Sequence, residues 1–267
     1  MAALNILEID GSRVEIFEGQ DDACASAAKR IEEAIRKNVE RRGKSVLGLA
    51  TGATPIRLYE KLVEKHRAGG LSFRKVSTYN LDEYYPIGPC DPHSYRSFMV
   101  QHLFSHIDLP ANQGHVFDGS VPEGAVDEHA KAFDGWIESD GGLDWQLLGL
   151  GRNAHIGFNE PSDLSVDRAI RLPSRTVELK AETRELYAEE FGGIDRVPTR
   201  ALTVGVAQIL AAKEIVVLAF GPNKAEPVAK SLLGPIVADV PGSLLRTVAD
   251  KVVWMLDREA ARLINVS

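Results

Sequence analysis

The chain has 267 residues, of which 44 % are hydrophobic and 26 % charged, with a net charge of −7 at pH 7. This composition is typical of a soluble globular protein that buries a sizeable core. The acidic balance excludes a general nucleic-acid surface, since phosphate backbones are bound by clustered Lys and Arg. Any anionic ligand must therefore be held by a few local groups.

The cysteines and the first residues of the chain indicate a cytoplasmic protein. Cys24 and Cys90 form neither a disulfide framework nor a metal-type spacing such as C-x-x-C. The opening MAALNILEIDGSRVEIF contains early charges and no long apolar region, so we expect no secretory signal. No apolar run approaches the roughly 20 residues of a membrane span. We therefore expect neither a membrane nor a nucleic acid as partner.

Short apolar runs alternate with amphipathic segments in the first half of the chain. The run SVLGLA is apolar without interruption, which is typical of a parallel strand covered on both faces. The pattern predicts strands at 13–17, 45–50 and 75–81, and helices at 21–42, about 54–68, 95–106 and 124–139.

The same alternation continues to the end of the chain. It predicts strands at 143–150, 215–220 and 251–256, a helix at about 223–233 and a short closing helix. Strands that alternate with helices favour an α/β fold, a doubly wound, mostly parallel sheet with helices on both faces, as in Rossmann-like proteins. No linker or repeat interrupts the chain, so we expect a single domain over 1–267.

Ligands of such sheets bind where the strands end, and four polar clusters follow predicted strands. The first is LATGATP, in which Thr51, Gly52, Ala53 and Thr54 join a glycine turn to a helix start. Free backbone N–H groups and the helix dipole at such a turn suit a phosphate. Helix capping alone, with Thr54 as N-cap and Pro55 at the first helical position, is the alternative.

The second cluster, YNLDEYY, places two acids directly after a strand. Adjacent side chains of an extended chain point to opposite sides, so at most one of Asp82 and Glu83 can face a pocket. We expect Asp82 to be a general base. A solvated acidic turn is the alternative.

The third cluster is GLGRNAHIGFNEPSD, residues 149–163, referred to below as the histidine loop. Gly149 and Gly151 would let the backbone bend sharply after the strand. A histidine moves protons near neutral pH, and a carboxylate can orient it, which makes His155 and Glu160 candidates for catalysis. The density of polar residues, including Asn153, favours chemistry over a surface histidine, although the spacing alone does not establish contact.

The fourth cluster, FGPNKAEP, places Lys224 at the start of a helix. A lysine there opposes the helix dipole unless an anion lies between the two. Lys224 is therefore a candidate phosphate ligand, with an ordinary exposed lysine as the alternative.

Taken together, these motifs resemble those of glucosamine-6-phosphate deaminases. The matching segments, between about 45 and 256, are TGATP, NLDEYY, SYRSFM, GLGRNAHIGFNEP, ALTVGV and GPNKA. The related 6-phosphogluconolactonases share the fold and a similar glycine loop, but typically lack the Phe-Asn-Glu-Pro continuation and the Asp-Glu-Tyr. A lactonase-type hydrolase is the second interpretation. A sugar-phosphate sensor without turnover is the third, disfavoured because the first 44 residues contain no basic recognition pattern.

The resemblance implies a role for each cluster. Asp82 would move the C2 proton of an amino-sugar phosphate, and His155, with Glu160 and Asn153, would open the sugar ring. Thr51, Gly52, Ala53, Thr54 and Lys224 would hold the phosphate. No metal or organic cofactor is implied, and the family includes monomers and hexamers, so a homo-oligomer is possible.

The sequence departs from the family pattern at several positions. Asn153 stands where some members have aspartate, and Ala154 replaces a usual glycine, which would limit positive φ there. A mobile lid is expected around 164–195, and Glu189 falls where members commonly place a phosphate-binding arginine. A different register or substrate, or one of three other arginines, would account for this. Those arginines are Arg184, Arg196 and Arg200.

Overall fold

The computed structural model describes residues 3–264. Its strands are β1 Asn5–Ile9, β2 Ser12–Phe17, β3 Ser45–Leu49, β4 Val76–Asn80, β5 Asp82–Tyr85, β6 Gly114–His115, β7 Trp145–Gly149, β8 Arg175–Glu178, β9 Arg200–Thr203, β10 Ile215–Ala219 and β11 Val252–Asp257. Its α-helices are α1 Gln20–Arg42, α2 Ala53–Arg67, α3 Tyr95–His102, α4 Val126–Ser139, α5 Val166–Ala169, α6 Ala181–Tyr187, α7 Val206–Ala211, α8 Ala225–Leu233 and α9 Arg258–Ala261. Short 3₁₀ segments lie at Phe104–His106, Glu123–Ala125, Ile194–Arg196, Pro222–Lys224 and Pro241–Lys251.

Eight strands form the main sheet in the order β1-β2-β11-β10-β7-β3-β4-β6. Every neighbouring pair is parallel except β1 and β2, which are antiparallel. All residues of β3, β4 and β10 are buried, because helices cover the central strands. The helix α1, for example, packs on β2, β3 and β11. The mostly parallel α/β fold expected from the sequence is confirmed.

The N-terminal strand β1 was not expected. Its residues are exposed or half-buried, and Ile6 is 52 % exposed. It adds to the edge of the sheet by antiparallel pairing with β2, so it has neither the continuous apolar run nor the strict alternation by which strands are recognised in sequences.

A second sheet, with the order β5-β9-β8, also escaped the sequence analysis. Its strands have four residues each and pair antiparallel. The strand β5 follows β4 after Leu81 alone, so the chain passes from the main sheet into the small sheet at Asp82. Asp82 therefore lies at the junction of the two sheets.

The helix α2 begins earlier than predicted. Gly52 is its N-cap, with φ of 94°, and no side chain caps the helix. The prediction of Thr54 as N-cap is wrong, because the glycine makes the turn and the helix starts at Ala53. The glycine turn and the first residues of α2 still lie just after the end of β3, as predicted from the sequence.

Within residues 3–264, no helix combines the length and apolar character needed to cross a membrane. The single-domain organisation over 1–267 stays a prediction.

Candidate active site

Four adjacent strands of the main sheet, β10, β7, β3 and β4, each precede one of the polar clusters. They are parallel, so their carboxyl ends meet at one edge. The chain order changes direction between β3 and β7, and ligands of open α/β sheets bind at such switch points. The register of the sheet therefore brings together segments far apart in the sequence, such as Thr51 after β3 and Lys224 after β10, which are separated by 173 positions (224 − 51).

These loops enclose a cavity of about 360 Å³, referred to below as the central cavity. Seven of the nine predicted site residues line it: Thr51, Gly52, Ala53, Thr54, Asp82, His155 and Lys224. The other two, Asn153 and Glu160, do not line the cavity but belong to the histidine loop, where they bond to each other and Asn153 accepts from the backbone of His155. The grouping expected from the sequence is thus present in the structure.

The carboxyl group of Asp82 is buried at the central cavity. Asp82 is 7 % exposed, and its Oδ1 atom accepts no hydrogen bond from the described part of the chain. Burial, and secondarily the charge of Glu83, raises the pKa of Asp82 to about 8. A carboxylate that is desolvated and unpaired is a much stronger base than one in water, as proton abstraction from carbon requires.

Glu83 points the other way, as expected for adjacent residues of an extended strand. Its carboxylate accepts hydrogen bonds from the backbone N–H groups of Tyr84, Tyr95 and Arg96, at 3.0, 2.8 and 3.0 Å. Burial raises the pKa of Glu83 to about 7, against the effect of these three hydrogen bonds. Glu83 therefore anchors the start of α3 and does not line the central cavity.

The imidazole of His155 lies beside a carboxylate that is held from two sides. Its Nδ1 is 3.6 Å from Oε2 of Glu160, close enough for an ion pair once the ring is protonated. Asn153 donates to Oε2 of Glu160 at 2.7 Å, and Thr183 of α6 donates to Oε1 at 2.5 Å. Burial acts to raise the pKa of Glu160, but His155, Thr183 and Asn153 outweigh it and hold that pKa at about 2. Glu160 thus stays anionic and can stabilise an imidazolium.

Asn153 makes no hydrogen bond to the imidazole ring of His155. Its side-chain oxygen accepts from the backbone N–H of His155 at 3.2 Å, while its amide nitrogen donates to Glu160. The asparagine therefore ties the backbone of the histidine loop to the carboxylate, which makes it a positioning residue.

Gly151 makes room for the histidine ring. A Cβ atom at this position would lie 2.5 Å from three atoms of the imidazole of His155. The chain does turn sharply after the strand, with a hydrogen bond from Ala154 N to Gly151 O, but neither Gly149 nor Gly151 has a positive φ, so the turn does not depend on a glycine conformation at these positions. The ring of His155 needs the space over Gly151.

Ala154 adopts the positive φ that an alanine in place of the usual glycine was expected to limit. Its φ is 66°, in the left-handed region, which costs an L-residue about 1 to 2 kcal/mol. The turn is held by hydrogen bonds from Ala154 N to Gly151 O, and from Gly242 N to Ala154 O. These contacts fix the path of the chain that leads into His155.

We expect Ala154→Gly to change the free energy of unfolding by less than about 0.5 kcal/mol, because relief at positive φ offsets the lost methyl group and the added chain entropy. The matched control is Ala28→Gly, at a fully buried position within α1, which should cost about 1 to 2 kcal/mol. Urea unfolding of both variants tests this. If both variants lost the same free energy of unfolding, the backbone at Ala154 would not be strained.

The candidate anion cradle combines the start of α2 and a lysine. The start of α2 at Gly52 and Ala53 lines the central cavity, and its first turn contains no acidic residue. Lys224 lines the same cavity, and its Nζ donates to Leu150 O at 2.6 Å. Burial first, and the charge of Arg152 second, lower the pKa of Lys224. An anion bound here would relieve both effects.

Several residues at the site were not predicted from the sequence, among them Arg152, Thr183 and Tyr187. Arg152 and Tyr187 line the central cavity, and Thr183 bonds to Glu160. Arg152 stands inside the histidine loop, and this position was the signal that could have revealed it. Thr183 and Tyr187 belong to α6, which reaches the site only through the tertiary fold, so no local pattern marks them.

The segment 164–195, predicted to be a mobile lid, divides into two parts. Leu186 and Tyr187 of α6 line the central cavity, whereas β8 belongs to the small sheet. The mobility of this segment stays a prediction.

None of the arginines considered as substitutes for a lid arginine lines the central cavity. Arg184 donates to the backbone oxygens of Ile194 and Val197. Arg200 makes a two-pronged contact with Glu123, at 2.7 and 2.6 Å. Arg196 lines a different cavity, next to Phe191 and Pro198.

Comparison with known proteins shows the family to which the chain belongs. A family model described as glucosamine-6-phosphate isomerases/6-phosphogluconolactonase matches residues 18–254. The glucosamine-6-phosphate deaminase of Rhodopirellula baltica is 43 % identical over 268 residues, which cover 99 % of both chains. That of a Geobacillus species is 41 % identical over 237 residues, 89 % of this chain and 91 % of the relative.

Solved structures extend the likeness to three dimensions. A monomeric glucosamine-6-phosphate deaminase superposes with a TM-score of 0.86 at 36 % identity, covering 94 % of this chain and 99 % of the other. The 6-phosphogluconolactonase of Trypanosoma brucei, at 18 % identity, shares the fold with a TM-score of 0.76 over 98 % of this chain and all of the other. The chain belongs to the glucosamine-6-phosphate isomerase/6-phosphogluconolactonase family.

Proposed function

We propose that the protein is a glucosamine-6-phosphate deaminase, which converts glucosamine 6-phosphate and water into fructose 6-phosphate and ammonia. The observation that carries this proposal is the shared central cavity. It contains a carboxyl group with its pKa raised to about 8, an imidazole backed by an anionic carboxylate, and a helix start next to a lysine. Relatives that are 41 to 43 % identical carry the same name.

The first step assigned to the site is opening of the pyranose ring. Imidazole can take the proton of the C1 hydroxyl and return a proton to the ring oxygen O5, because it exchanges protons in both directions near neutral pH. Glu160, anionic throughout this range, stabilises the charged ring between the two transfers. Asn153 holds Glu160 in position.

The second step moves one proton between adjacent carbons. In the open chain, the C1 aldehyde acidifies the C2–H bond. Asp82 takes the C2 proton while a proton passes from the C2 ammonium group to the C1 oxygen, which leaves an enolamine. The same carboxyl group returns the proton to C1, which leaves an iminium at C2. A base that carries one proton between neighbouring carbons needs neither a metal nor an organic cofactor.

Water then adds to the C2 iminium carbon. The resulting carbinolamine loses ammonia and leaves the ketone of fructose 6-phosphate. All atoms balance, since one water enters and one ammonia leaves.

The phosphate group is assigned to the cradle of Thr51, Gly52, Ala53, Thr54 and Lys224. We expect Lys224→Ala to raise KM for glucosamine 6-phosphate about 10- to 100-fold, the factor that corresponds to losing one hydrogen bond to a charged group. Steady-state kinetics measure this. The control is Lys230→Ala on the exposed side of α8, where the lysine pairs with Glu226. An unchanged KM in Lys224→Ala would remove Lys224 from the cradle.

The proposal is tested by offering three compounds to the same preparation of the protein. Ammonia release is measured from glucosamine 6-phosphate and galactosamine 6-phosphate, and hydrolysis is measured with 6-phosphogluconolactone. We expect turnover of glucosamine 6-phosphate to exceed the other two. Preferential hydrolysis of the lactone, or binding of sugar phosphates without any turnover, would contradict the proposal.

We also infer that the protein works in the cytoplasm on a small-molecule substrate. Both cysteines are free thiols, Cys24 buried and Cys90 exposed, as suits a reducing compartment. Assembly into a homo-oligomer stays a possibility that the family allows.

A further inference from the structure

We propose that Arg152, from the histidine loop, supplies the second cation for the substrate phosphate, beside Lys224. It thereby takes the place of the lid arginine that the family resemblance puts where this chain has Glu189. This inference rests on the proposed function and extends it by one binding residue. It also places the second phosphate ligand on the loop that carries the catalytic histidine.

The placement of Arg152 is the first support. It lines the central cavity together with Thr51, Gly52 and Lys224. It also lines an adjoining recess of about 400 Å³, formed with Glu182, Thr183, Glu185 and Leu186 of α6. Arg152 therefore stands between the anion cradle and the helix that covers it.

The guanidinium of Arg152 is available to a ligand. Arg152 is exposed, and its side chain makes neither a hydrogen bond nor an ion pair with any part of the chain between residues 3 and 264. Glu182 and Glu185 line the same recess, but neither approaches within 4.0 Å of its nitrogens. Because a guanidinium presents two parallel N–H groups, it fits two oxygens of one phosphate.

The other arginines of the lid region are engaged elsewhere. Arg184 bonds to the backbone oxygens of Ile194 and Val197, and Arg200 pairs with Glu123 while lying 4.9 Å from the ring centre of Tyr85. Arg196 lines a different cavity. Arg152 is therefore the arginine whose position and free donors match the cradle.

The electrostatics of the cradle also support Arg152 as a phosphate ligand. The positive charge of Arg152 acts on Lys224 strongly enough to lower the pKa of that lysine, after the larger effect of burial. Two cations this near repel each other in the empty site, and a phosphate dianion bound between them would turn that repulsion into attraction on both sides.

The test compares Arg152→Gln with Arg67→Gln. Arg67 is exposed at the last residue of α2, about 20 Å along the helix from the cradle, so both variants lose one charge. We expect Arg152→Gln to raise KM for glucosamine 6-phosphate about 10- to 100-fold with kcat changed less than about threefold. The inhibition constant of inorganic phosphate should rise to a similar extent. Arg152→Lys should show smaller increases in KM and in the inhibition constant than Arg152→Gln. Arg67→Gln should match the wild type in both constants.

Direct binding separates this inference from the proposed function. Inorganic phosphate binding is measured by calorimetry on the wild type and both variants, without turnover. Weaker binding by Arg152→Gln alone supports the inference even if the wild type releases no ammonia. Unchanged phosphate affinity in a folded, active Arg152→Gln protein overturns the inference and leaves the function intact. An equal KM defect in Glu185→Gln would also overturn it, because Arg152 would then act by pairing with the lid.

Discussion

The variant Asp82→Asn is expected to release ammonia from glucosamine 6-phosphate about 10³- to 10⁴-fold more slowly than the wild type, the upper range for loss of a general base. An asparagine side chain has the size of the aspartate but accepts no proton near neutral pH. Because the Oδ1 atom of Asp82 has no protein partner, the substitution breaks no hydrogen bond of the described structure. The loss should therefore appear in kcat, with the fold intact.

The pH dependence of the wild type follows from the same carboxyl group. Asp82 must be ionised to take the C2 proton, and its pKa of about 8 means that most of it is protonated at pH 7. We expect kcat/KM, which reports ionisations of the free enzyme, to rise about tenfold per pH unit below 8 and to level above it. A residual activity of Asp82→Asn should lack this rise.

Stability measurements check that the variant is folded, and the sign of their pH dependence is fixed. The pKa of Asp82 is raised in the folded protein relative to the ordinary value near 4, so the folded state holds this proton longer than the unfolded state. The contribution of protonated Asp82 to the free energy of unfolding is therefore lost as pH rises from about 4 to 8. Asparagine does not titrate, so the variant should gain stability relative to the wild type over this window.

Glu83→Gln is the matched control for Asp82→Asn, since it changes the adjacent residue in the same way. Glu83 receives three backbone hydrogen bonds and holds the start of α3, so its loss should lower the free energy of unfolding by about 1 to 3 kcal/mol. Its kcat should stay within about tenfold of the wild type. Retention of more than a tenth of the activity by Asp82→Asn would contradict the role of Asp82.

The second large effect is expected from His155→Asn, which should lower kcat about 10²- to 10³-fold. The asparagine can still occupy the space over Gly151, but it cannot carry a proton between the C1 hydroxyl and the ring oxygen. Open-chain sugar must then form without a catalyst, and this becomes the slow step. Ammonia release at saturating glucosamine 6-phosphate measures the loss.

Glu160→Gln is the companion variant for His155→Asn. It keeps the imidazole and removes the anion 3.6 Å away, so the loss in kcat should be smaller, about tenfold to a hundredfold. If His155→Asn stays within about tenfold of the wild type, the assignment of ring opening to His155 is wrong.

The sequence allowed the position of the site to be predicted because parallel sheets follow simple rules. Uniformly apolar runs such as 45–49 and 215–219 mark central strands, and their carboxyl ends share one edge of the sheet. The opposite directions of Asp82 and Glu83 followed from strand geometry alone. These are local properties, and a single sequence contains them.

Features that depend on contacts between distant segments could not be predicted. The strand β5 pairs with β9, more than 110 residues further along the chain, and nothing in DEYY specifies that partner. Thr183 reaches Glu160 only because α6 lies over the histidine loop. At Ala154, residue type argued against the positive φ that the surrounding turn imposes.

Asp82 is expected to break the C2–H bond of glucosamine 6-phosphate before ammonia leaves. The most direct test supplies substrate deuterated at C2 and follows both the label and the ammonia by NMR and a coupled assay. We expect the wild type to lose the label from C2 in step with ammonia release and formation of fructose 6-phosphate, and Asp82→Asn to leave the label in place. Ammonia released while deuterium remains at C2, or label lost at the wild-type rate from Asp82→Asn, would contradict the account.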